Sequence, residues 1–345
     1  MNSRSIVKDT VTTGLILTSY VQIITYVGLI CYSVGILASN INIVERIERW
    51  TKQKKFEDQS PDQICEEWPT EGGIEITRMT IRYRPGLPFV IKNLNLSIKP
   101  AEKVGILGRT GSGKSTLVLA LLRFLEIEKE DYDINGYIKI DGVPINKVGL
   151  ETLRRNIITI PQIPYLLEGS LRFNIDPLEM YSDLEVRESL RKVDFYSTIN
   201  NEIVENETPR SEGRFEREFK IEWRGANLSV GQRQLICIAR ALIQKPKILL
   251  TDEATASIDL KTDKLIQELI KTELKDTTVL TIAHRLDTII EYDKIVVLKN
   301  GRKVEEGSPY ELLENPGYFY DFVREGGKEY LEVMKGRALR RMRKK

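Results

Sequence analysis

The sequence predicts an α/β fold, a mostly parallel sheet covered by helices, preceded by one long apolar helix. From Val104 onward short apolar strands alternate with helical segments, which is typical of strand–helix–strand units. A glycine-rich segment, 108–116, lies where one of these strands meets the helix that follows it. Residues 10–44 contain no charged side chain, so the beginning of the chain differs in character from the rest.

Overall charge and composition exclude several functional classes. The 345 residues include 52 Lys and Arg and 50 Asp and Glu, a formal net charge of +2, and this balance gives no reason to expect nucleic acid as a partner. Cys31, Cys65 and Cys237 are odd in number and far apart, so they indicate neither a disulfide framework nor a zinc site, and they fit a reducing compartment. A single histidine, His284, excludes a multi-histidine metal centre.

The centre of the uncharged run, 14–38, is long enough to cross a membrane. As a helix rising 1.5 Å per residue, its 25 residues would span a hydrocarbon core of about 30 Å. The alternatives are a signal peptide, which usually has a shorter apolar region, and a buried core helix. Lys and Arg are more numerous at 46–55 than before the run, which predicts a cytoplasmic C-terminal side. We therefore expect an integral membrane protein.

These patterns predict four regions. They are a transmembrane helix with its cytoplasmic extension (1–55), a polar linker (56–73), an α/β domain (74–324) and a basic C-terminal tail (325–345). Strands are predicted at 74–83, 89–98, 103–107, 157–160, 247–251 and 278–282, and helices at 114–125, 150–155, 183–193, 231–244 and 260–273. The charge-rich stretches 126–133 and 201–222 are predicted to be solvated loops. The last eleven residues, 335–345, include seven Lys or Arg and are predicted to be a solvated, disordered end, with contact to anionic lipid as the alternative.

The glycine-rich segment carries the first chemical signal. It follows the apolar strand 103–107, opens a helix and matches the phosphate-binding pattern G-x4-G-K-[ST]. Glycines let the backbone curl so that its N–H groups point at phosphate oxygens, and the helix N-terminus adds positive partial charge. Lys114 is expected to reach the β- and γ-phosphates, and the Ser115 hydroxyl to ligate Mg²⁺.

A second signal is the strand 247–251, which is followed by Asp252 and Glu253. An apolar strand that ends in two carboxylates is usually just a strand meeting solvent. Beside a phosphate loop, however, the same pattern predicts a site, because ligands bind at the carboxyl ends of parallel strands. Asp252 is then expected to hold Mg²⁺, often through water, and Glu253 to polarise the attacking water as a general base.

The third signal is the octapeptide 228–235, in which Ser229 has the character of a helix N-cap. This octapeptide resembles the signature sequence of ATP-binding-cassette (ABC) ATPases, with Val230 where the commonest form has glycine. The order of motifs over about 73–322 is also similar to that family. They are the phosphate loop, the Gln162 loop, the signature, the Asp-Glu strand, Ser257-Ile258-Asp259 and His284. The resemblance implies a P-loop NTPase fold with a parallel-sheet core, an antiparallel β subdomain (about 74–103) and a helical subdomain (about 165–243).

The resemblance also assigns roles. It implies that Gln162 senses Mg²⁺ and contacts the transmembrane domain, and that His284 contacts the γ-phosphate. Tyr83 resembles the aromatic residue that stacks on adenine, with a core tyrosine at a strand end as the alternative. The implied catalytic residues are Glu253, His284, Lys114 and Gln162, and the implied Mg²⁺ ligands are Ser115, Gln162 and Asp252. The implied ATP contacts are Tyr83, Gly108, Arg109, Thr110, Gly111, Ser112, Gly113, Lys114, Ser115, Thr116, Gln162 and Asp252, with Ser229, Gly231 and Gln232 acting in trans.

The last implication concerns partners. Such domains work in head-to-tail pairs, so a second nucleotide-binding domain is expected as partner, with Asp259 lining the interface. Segments 82–87, 166–177, 228–235 and 40–50 resemble the second nucleotide-binding domain, and the last membrane helix, of the C subfamily, the multidrug-resistance-associated proteins. ATP-driven export of organic anions or conjugates is therefore the expected function. The Val230 signature is expected to complete the weaker of two unequal sites.

One feature departs from the exporter pattern. An exporter half has six membrane helices and this chain has room for one, so the remaining helices are expected as partners. The sequence resembles the C-terminal part of a transporter, a split subunit or a degenerate copy. A nucleotide-sensing regulatory or channel-gating protein and a truncated inactive copy are the alternative functions. A P-loop kinase is disfavoured, because kinase chemistry does not need the motif at 229–232.

Overall fold

The computed structural model describes residues 3–53, 68–127, 136–199, 214–252, 260–283 and 285–343. Two of the predicted catalytic residues, Glu253 and His284, lie outside the described residues, as does the segment 257–259. The chain divides into two compact units, residues 1–59 and residues 60–345. The boundaries predicted at 55, 73 and 324 stay predictions.

The described residues of the first unit, 3–53, form one helix, α1 (Ser3–Gln53). It is long and apolar enough to cross a membrane. Hydroxyls within its apolar stretch donate to backbone carbonyls of the same helix three or four residues earlier, as Thr25 does to Val21 and Ser33 to Leu29. This pattern suits hydrocarbon surroundings, because a hydroxyl there has no water to bond.

The second unit is an α/β domain. Its strands are β1 (Ile74–Ile81), β2 (Ile91–Ile98), β3 (Lys103–Leu107), β4 (Tyr137–Ile140), β5 (Val143–Pro144), β6 (Ile157–Ile160), β7 (Gly169–Ser170), β8 (Lys220–Ile221), β9 (Ile248–Asp252), β10 (Thr278–Ile282), β11 (Lys294–Lys299) and β12 (Arg302–Gly307). Its described α-helices are α2 (Lys114–Leu121), α3 (Leu150–Asn156), α4 (Leu171–Ile175), α5 (Asp183–Lys192), α6 (Arg214–Glu218), α7 (Val230–Gln244), α8 (Leu260–Thr272), α9 (Leu286–Ile289), α10 (Pro309–Glu314), α11 (Tyr318–Arg324) and α12 (Lys328–Met342).

The main sheet has six strands in the order β12-β11-β3-β10-β9-β6. All neighbours are parallel except the edge pair β11–β12. Strands β3 and β10 are buried along their whole length, as expected for strands covered on both faces. The four parallel strands predicted from sequence are confirmed. The predicted strands do not include β11 or the edge strand β12, and the sequence of β12, RKVEEG, is almost entirely polar.

A second, antiparallel sheet has the order β2-β1-β4-β5. Its apolar face forms a core with α2 and the main sheet, in which Leu117 and Leu121 are fully buried. The antiparallel subdomain was expected within about 74–103, but the sheet also includes β4 and β5, which lie beyond α2 in the chain. These two strands are short, four and two residues, so their sequence shows little periodicity.

The helical region α4–α7 packs with α8 and the main sheet in a second core. The prediction that 201–222 is a solvated loop is wrong for α6, whose Phe215 and Glu216 are buried. Residues 200–213, and 128–133 of the other predicted loop, lie outside the described residues. Helix α6 could not be predicted from its charge-rich sequence, because only one of the five residues of the helix is apolar.

A third core lies beneath the C-terminal helices. Helix α12 buries Leu331, Met334 and Ala338, and because Ala338 lies within 335–345, the prediction of a solvated, disordered end is wrong for the part of that segment in this helix. Basic residues dominate the composition of the segment, but the apolar ones recur at spacings of three and four and form one packed face.

Candidate nucleotide-binding site

The phosphate loop connects β3 to α2, and its backbone depends on glycine. Gly111 and Gly113 have positive φ, +80° and +101°. A Cβ on Gly108 would lie 2.4 Å from the carbonyl oxygen of Leu298, so a side chain there would displace the loop. Glycine at these positions therefore lets the loop curl tightly before α2 begins at Lys114.

Lys114 is buried, and its ammonium donates to two carbonyls of the loop itself. The acceptors are Gly108, with Nζ to O at 2.7 Å, and Arg109 at 3.3 Å. The positive charge is thus held at the loop, where phosphate oxygens bound by the loop N–H groups would meet it. Ser115 is exposed in the first turn of α2, and its position suits a hydroxyl that ligates a cation beside the phosphates.

Tyr83 lies beside the same helix. Its hydroxyl and the Thr116 Oγ1 share a hydrogen bond of 3.1 Å. The tyrosine is 49% exposed, which is unlike a core tyrosine at a strand end. An accessible ring next to the phosphate loop has the chemistry of a stacking surface for a base.

Strand register brings the other predicted site residues to the same edge of the sheet. Asp252 is the last residue of β9, and it pairs with Ile282 of β10, which in turn pairs with Ile106 of β3. On the other side of β9, Ile160 of β6 pairs with Thr251. Gln162, two residues beyond β6, therefore follows a strand whose end lies beside Thr251 and Asp252.

A buried hydroxyl chain lies just beneath this edge, and sequence reasoning missed it. Thr251 donates to Thr281 across β9 and β10, with an Oγ1–Oγ1 distance of 2.7 Å. Thr281 shares a hydrogen bond of 3.0 Å with Tyr292, and burial raises the pKa of that tyrosine to about 12. The chain fixes the relative position of the two strands. Threonine on a β-strand carries no sequence signal that distinguishes this role.

The far flank of the phosphate loop borders a cavity of about 670 Å³. Residues 109–112 line one side, and the β11–β12 turn and α11 line the other. Across it Arg109 pairs with Glu325, with NH2 to Oε1 at 3.6 Å and both side chains exposed.

The signature segment forms the N-terminus of α7. The Ser229 Oγ accepts the Gln232 backbone N–H at 3.2 Å, while the Gln232 Oε1 accepts the Ser229 N–H at 2.8 Å. This capping box confirms Ser229 as an N-cap. The Gln232 amide also donates to the Thr198 carbonyl at 2.8 Å, so both ends of its side chain are engaged within the chain. Val230 and Ser229 remain exposed at the helix end.

A hydrogen bond connects α7 with the segment after β6. Gln234, which is 1% exposed, donates its Nε2 to the carbonyl of Pro161 at 3.4 Å. Pro161 immediately precedes Gln162, so a displacement of α7 would act on the Gln162 loop. Sequence reasoning missed Gln234, because an interior glutamine on a helix has no distinguishing pattern.

Comparison with known proteins agrees with this geometry. The sequence model of the ABC transporter family matches residues 91–256. The chain is 43% identical over 301 residues to a pleiotropic ABC efflux transporter of multiple drugs, YBT1, of Candida glabrata, covering 84% of this chain and 18% of that protein. It is 40% identical over 337 residues to ATP-binding cassette sub-family C member 2 of Homo sapiens, covering 96% of this chain and 20% of that protein.

Another relative and a solved structure extend the comparison. The ATP-dependent bile acid permease of Saccharomyces cerevisiae is 41% identical over 300 residues, with 84% of this chain and 18% of the permease covered. The solved structure of a bacterial Atm1-family ABC exporter with ATP bound superposes with a TM-score of 0.70 and 26% identity, covering 85% of this chain and 48% of that one. The chain thus spans 18–20% of the length of these curated relatives. Residues 91–256 therefore belong to the ABC transporter family as an ATP-binding domain, and they are similar to those of the C subfamily.

Proposed function

We propose that this chain is the ATP-hydrolysing part of an exporter that moves organic anions or conjugates across a membrane. The observation that carries the proposal is the convergence of the phosphate loop, Asp252 and the Gln162 segment at one edge of the parallel sheet. The printed names of the relatives, an efflux transporter of multiple drugs and a bile acid permease, support the substrate class.

ATP binding in this proposal uses the phosphate loop and the residues beside it. Loop N–H groups and Lys114 hold the β- and γ-phosphates, and the exposed ring of Tyr83 stacks on adenine. The Ser115 hydroxyl and the Asp252 carboxylate, with Gln162, are hard oxygen donors of the kind that Mg²⁺ prefers. When bound there, Mg²⁺ would neutralise charge on the phosphates. Arg109, Thr110, Ser112 and Thr116 complete the loop that surrounds them.

Hydrolysis is assigned to residues that follow the same strand ends in the chain. Glu253 comes directly after β9, and as general base it takes a proton from the attacking water. His284, two residues beyond β10, contacts the γ-phosphate. Both residues lie outside the described part of the chain, so these roles rest on the motif order and on the strands that precede them.

The site is completed in trans by a second nucleotide-binding domain. The N-terminus of α7 carries partial positive charge, and its exposed position suits an approach to the γ-phosphate held by a partner domain. Ser229 and Gly231 contact that γ-phosphate, and Gln232 stabilises the first turn of α7 through its capping hydrogen bonds. Val230 adds a side chain to this surface, so the site completed by this signature is the weaker of two.

Coupling to transport uses the membrane region. Helix α1 is the span that anchors this part of the transporter, with the ATPase domain on the cytoplasmic side, and the other membrane helices belong to the partner region. ATP closes the paired domains and hydrolysis reopens them. The contact between Gln234 and Pro161 links the moving signature helix to the Gln162 loop, which faces the membrane domain in this proposal.

The proposal is tested with Glu253→Gln in the assembled pump. We expect ATP turnover to fall by about 100-fold or more, because the base contributes at least that factor, while binding of a fluorescent ATP analogue is kept. Glu268→Gln, an exposed glutamate on α8, is the matched control. Unchanged turnover in the Glu253 variant would refute its role as base. Nucleotide-dependent current without substrate flux in vesicles would favour a channel regulator instead of a pump.

A further inference from the structure

A buried carboxylate lies in the part of the chain that looked most like solvated loop. Glu216 on α6 is fully buried. Its Oε1 accepts a hydrogen bond from the hydroxyl of Tyr196, and it lies 4.0 Å from the Nε of Arg187, which is also buried. A buried carboxylate is costly unless it is paired, and Tyr196 and Arg187 are the partners of Glu216 here.

The cluster is enclosed by aromatic rings. The ring of Tyr196 packs at 5.8 Å against Phe215, which packs at 5.3 Å against Phe219. Burial raises the pKa of Tyr196 well above its ordinary value, and the hydrogen bond and charge of Glu216 add to the shift. The Tyr196 hydroxyl keeps its proton at neutral pH and donates it to Glu216.

Elements on both sides of the cluster form hydrogen bonds with residues in or beside the signature segment. Tyr196 begins the turn 196–198, and the carbonyl of Thr198 at its end accepts the side-chain N–H of Gln232 at 2.8 Å. Strand β8 follows α6, and the carbonyl of its Lys220 accepts the Asn227 Nδ2 at 2.8 Å. Asn227 and Gln232 flank the N-cap residue Ser229 on either side.

We propose that Glu216 is a positioning residue for the signature motif. By joining α6 to the turn at Tyr196, it fixes the two backbone carbonyls that hold Asn227 and Gln232, and thereby the orientation of the first turn of α7. This inference rests on the proposed function, because the signature acts on ATP only when a second domain is paired with it. Glu216 itself touches neither nucleotide nor metal.

A purely structural role would predict something different. If Glu216 only stabilised the helical region, its removal would lower the melting temperature without a selective effect on α7. If it positions the signature, the amides of Gln232 and Arg233 should lose protection first, since their N–H groups bond to Ser229 at 3.2 and 3.0 Å. ATP binding at the phosphate loop of the same chain should be unaffected, because that loop belongs to a different core.

The test compares Glu216→Ala and Tyr196→Phe with the control Glu218→Ala in the full chain. Glu218 lies on the same helix, but it is exposed and pairs with Arg214. Hydrogen exchange should accelerate by about tenfold at Gln232 and Arg233 in the first two variants, as for a lost hydrogen bond to a charged group, and be unchanged in the control. Affinity for a fluorescent ATP analogue should remain that of the parent chain. If Glu216→Ala does not fold, Tyr196→Phe, which removes one hydroxyl, decides the question.

A second readout separates this inference from the proposed function. In a Glu253→Gln background, ATP should drive association of two chains, and the Glu216 and Tyr196 variants should need more ATP for half-maximal association. If the parent chain does not associate, pairing of two copies of this chain is refuted, and the exchange data alone decide the inference. If the parent associates and the variants match it in both readouts, the positioning role is overturned.

Discussion

The backbone N–H of Gly301 donates to the carbonyl oxygen of Ser112 at 3.2 Å, which ties the β11–β12 turn to the phosphate loop. The carbonyl of the same glycine accepts the N–H of Lys92 on β2 at 2.8 Å. One turn residue therefore connects the phosphate loop to the antiparallel sheet. Gly301 has a φ of +79°, and a Cβ on it would lie 2.0 Å from the carbonyl oxygen of Val90.

Gly301→Ala should therefore weaken ATP binding. The new Cβ must push the turn away from Val90, and the bond to Ser112 is lost with it, so we expect affinity for an ATP analogue to fall about tenfold. Gly142→Ala is the matched control, because Gly142 has a φ of +78° but nothing within 4 Å of its built Cβ. Both variants bear the left-handed cost of about 1 kcal/mol, visible in thermal melts. Equal affinities in the two variants would contradict the bracing role of Gly301.

Tyr83 should contribute to binding through its ring more than through its hydroxyl. Tyr83→Ala removes the stacking surface and should weaken ATP binding by about 1–3 kcal/mol, whereas Tyr83→Phe keeps the ring and loses only the bond to Thr116. Calorimetric titration with ATP and with inorganic triphosphate checks this. Triphosphate should bind all three proteins alike, and a parallel loss of triphosphate affinity in Tyr83→Ala would show that the tyrosine shapes the loop instead.

Much of the site could be read from the sequence because its signals are local. The phosphate loop needs glycines and a lysine at fixed spacing, and the strands β3, β9 and β10 are mostly apolar. Since the carboxyl ends of parallel strands lie at one edge of a sheet, the motifs alone predict that Asp252 and Gly108 lie at the same edge. The Ser229 cap was equally local, since a capping box involves residues three apart.

The contacts that position the site could not be predicted from the sequence, because they join residues that are far apart in the chain. Gln234 and Pro161 are 73 positions apart, Gly301 and Ser112 are joined through a turn between two strands, and Glu216 is buried against a turn 20 positions away. A buried glutamate in a charge-rich stretch resembles an exposed one in sequence. Tertiary packing alone distinguishes them, which is why the sequence predicts solvated segments where α6 and α12 are packed helices.

Asp176 makes the helical region sensitive to acid. Burial opposes its ionisation, but backbone N–H groups of Tyr181 and Met180 and the Arg172 guanidinium outweigh this and lower its pKa. A carboxyl whose folded pKa lies below its unfolded one adds stability above the unfolded value, near pH 4, and loses it as pH falls through the folded value.

Asp176→Asn should accordingly be less stable than the parent chain by about 1–3 kcal/mol at pH 7, with the difference shrinking below about pH 4. Urea unfolding followed from pH 7 to pH 3 measures both quantities. Glu179→Gln, an exposed neighbour, should leave the profile of the parent chain unchanged. A constant difference at every pH would mean that the lost charge of Asp176 is not what stabilises the folded chain.

The C-terminal helix α12 should stabilise the nucleotide-binding site by packing against the residues that precede it. Met334 of α12 is 1% exposed, and it belongs to the core that includes Leu107, at the end of β3, and Ala283, just beyond β10. Those two residues directly precede the phosphate loop and His284 in the chain. Met334→Ala should therefore cost about 2–5 kcal/mol of stability through the cavity it creates. It should also weaken ATP binding, because both strand ends lose support.

Val333→Ala on the same helix is the control, since Val333 is 53% exposed and its truncation should change stability by less than about 0.5 kcal/mol. If urea unfolding gave the two variants equal stability, α12 would not be packed as described. If Met334→Ala were destabilised but bound ATP as tightly as the parent chain, the helix would stabilise the domain without supporting the site.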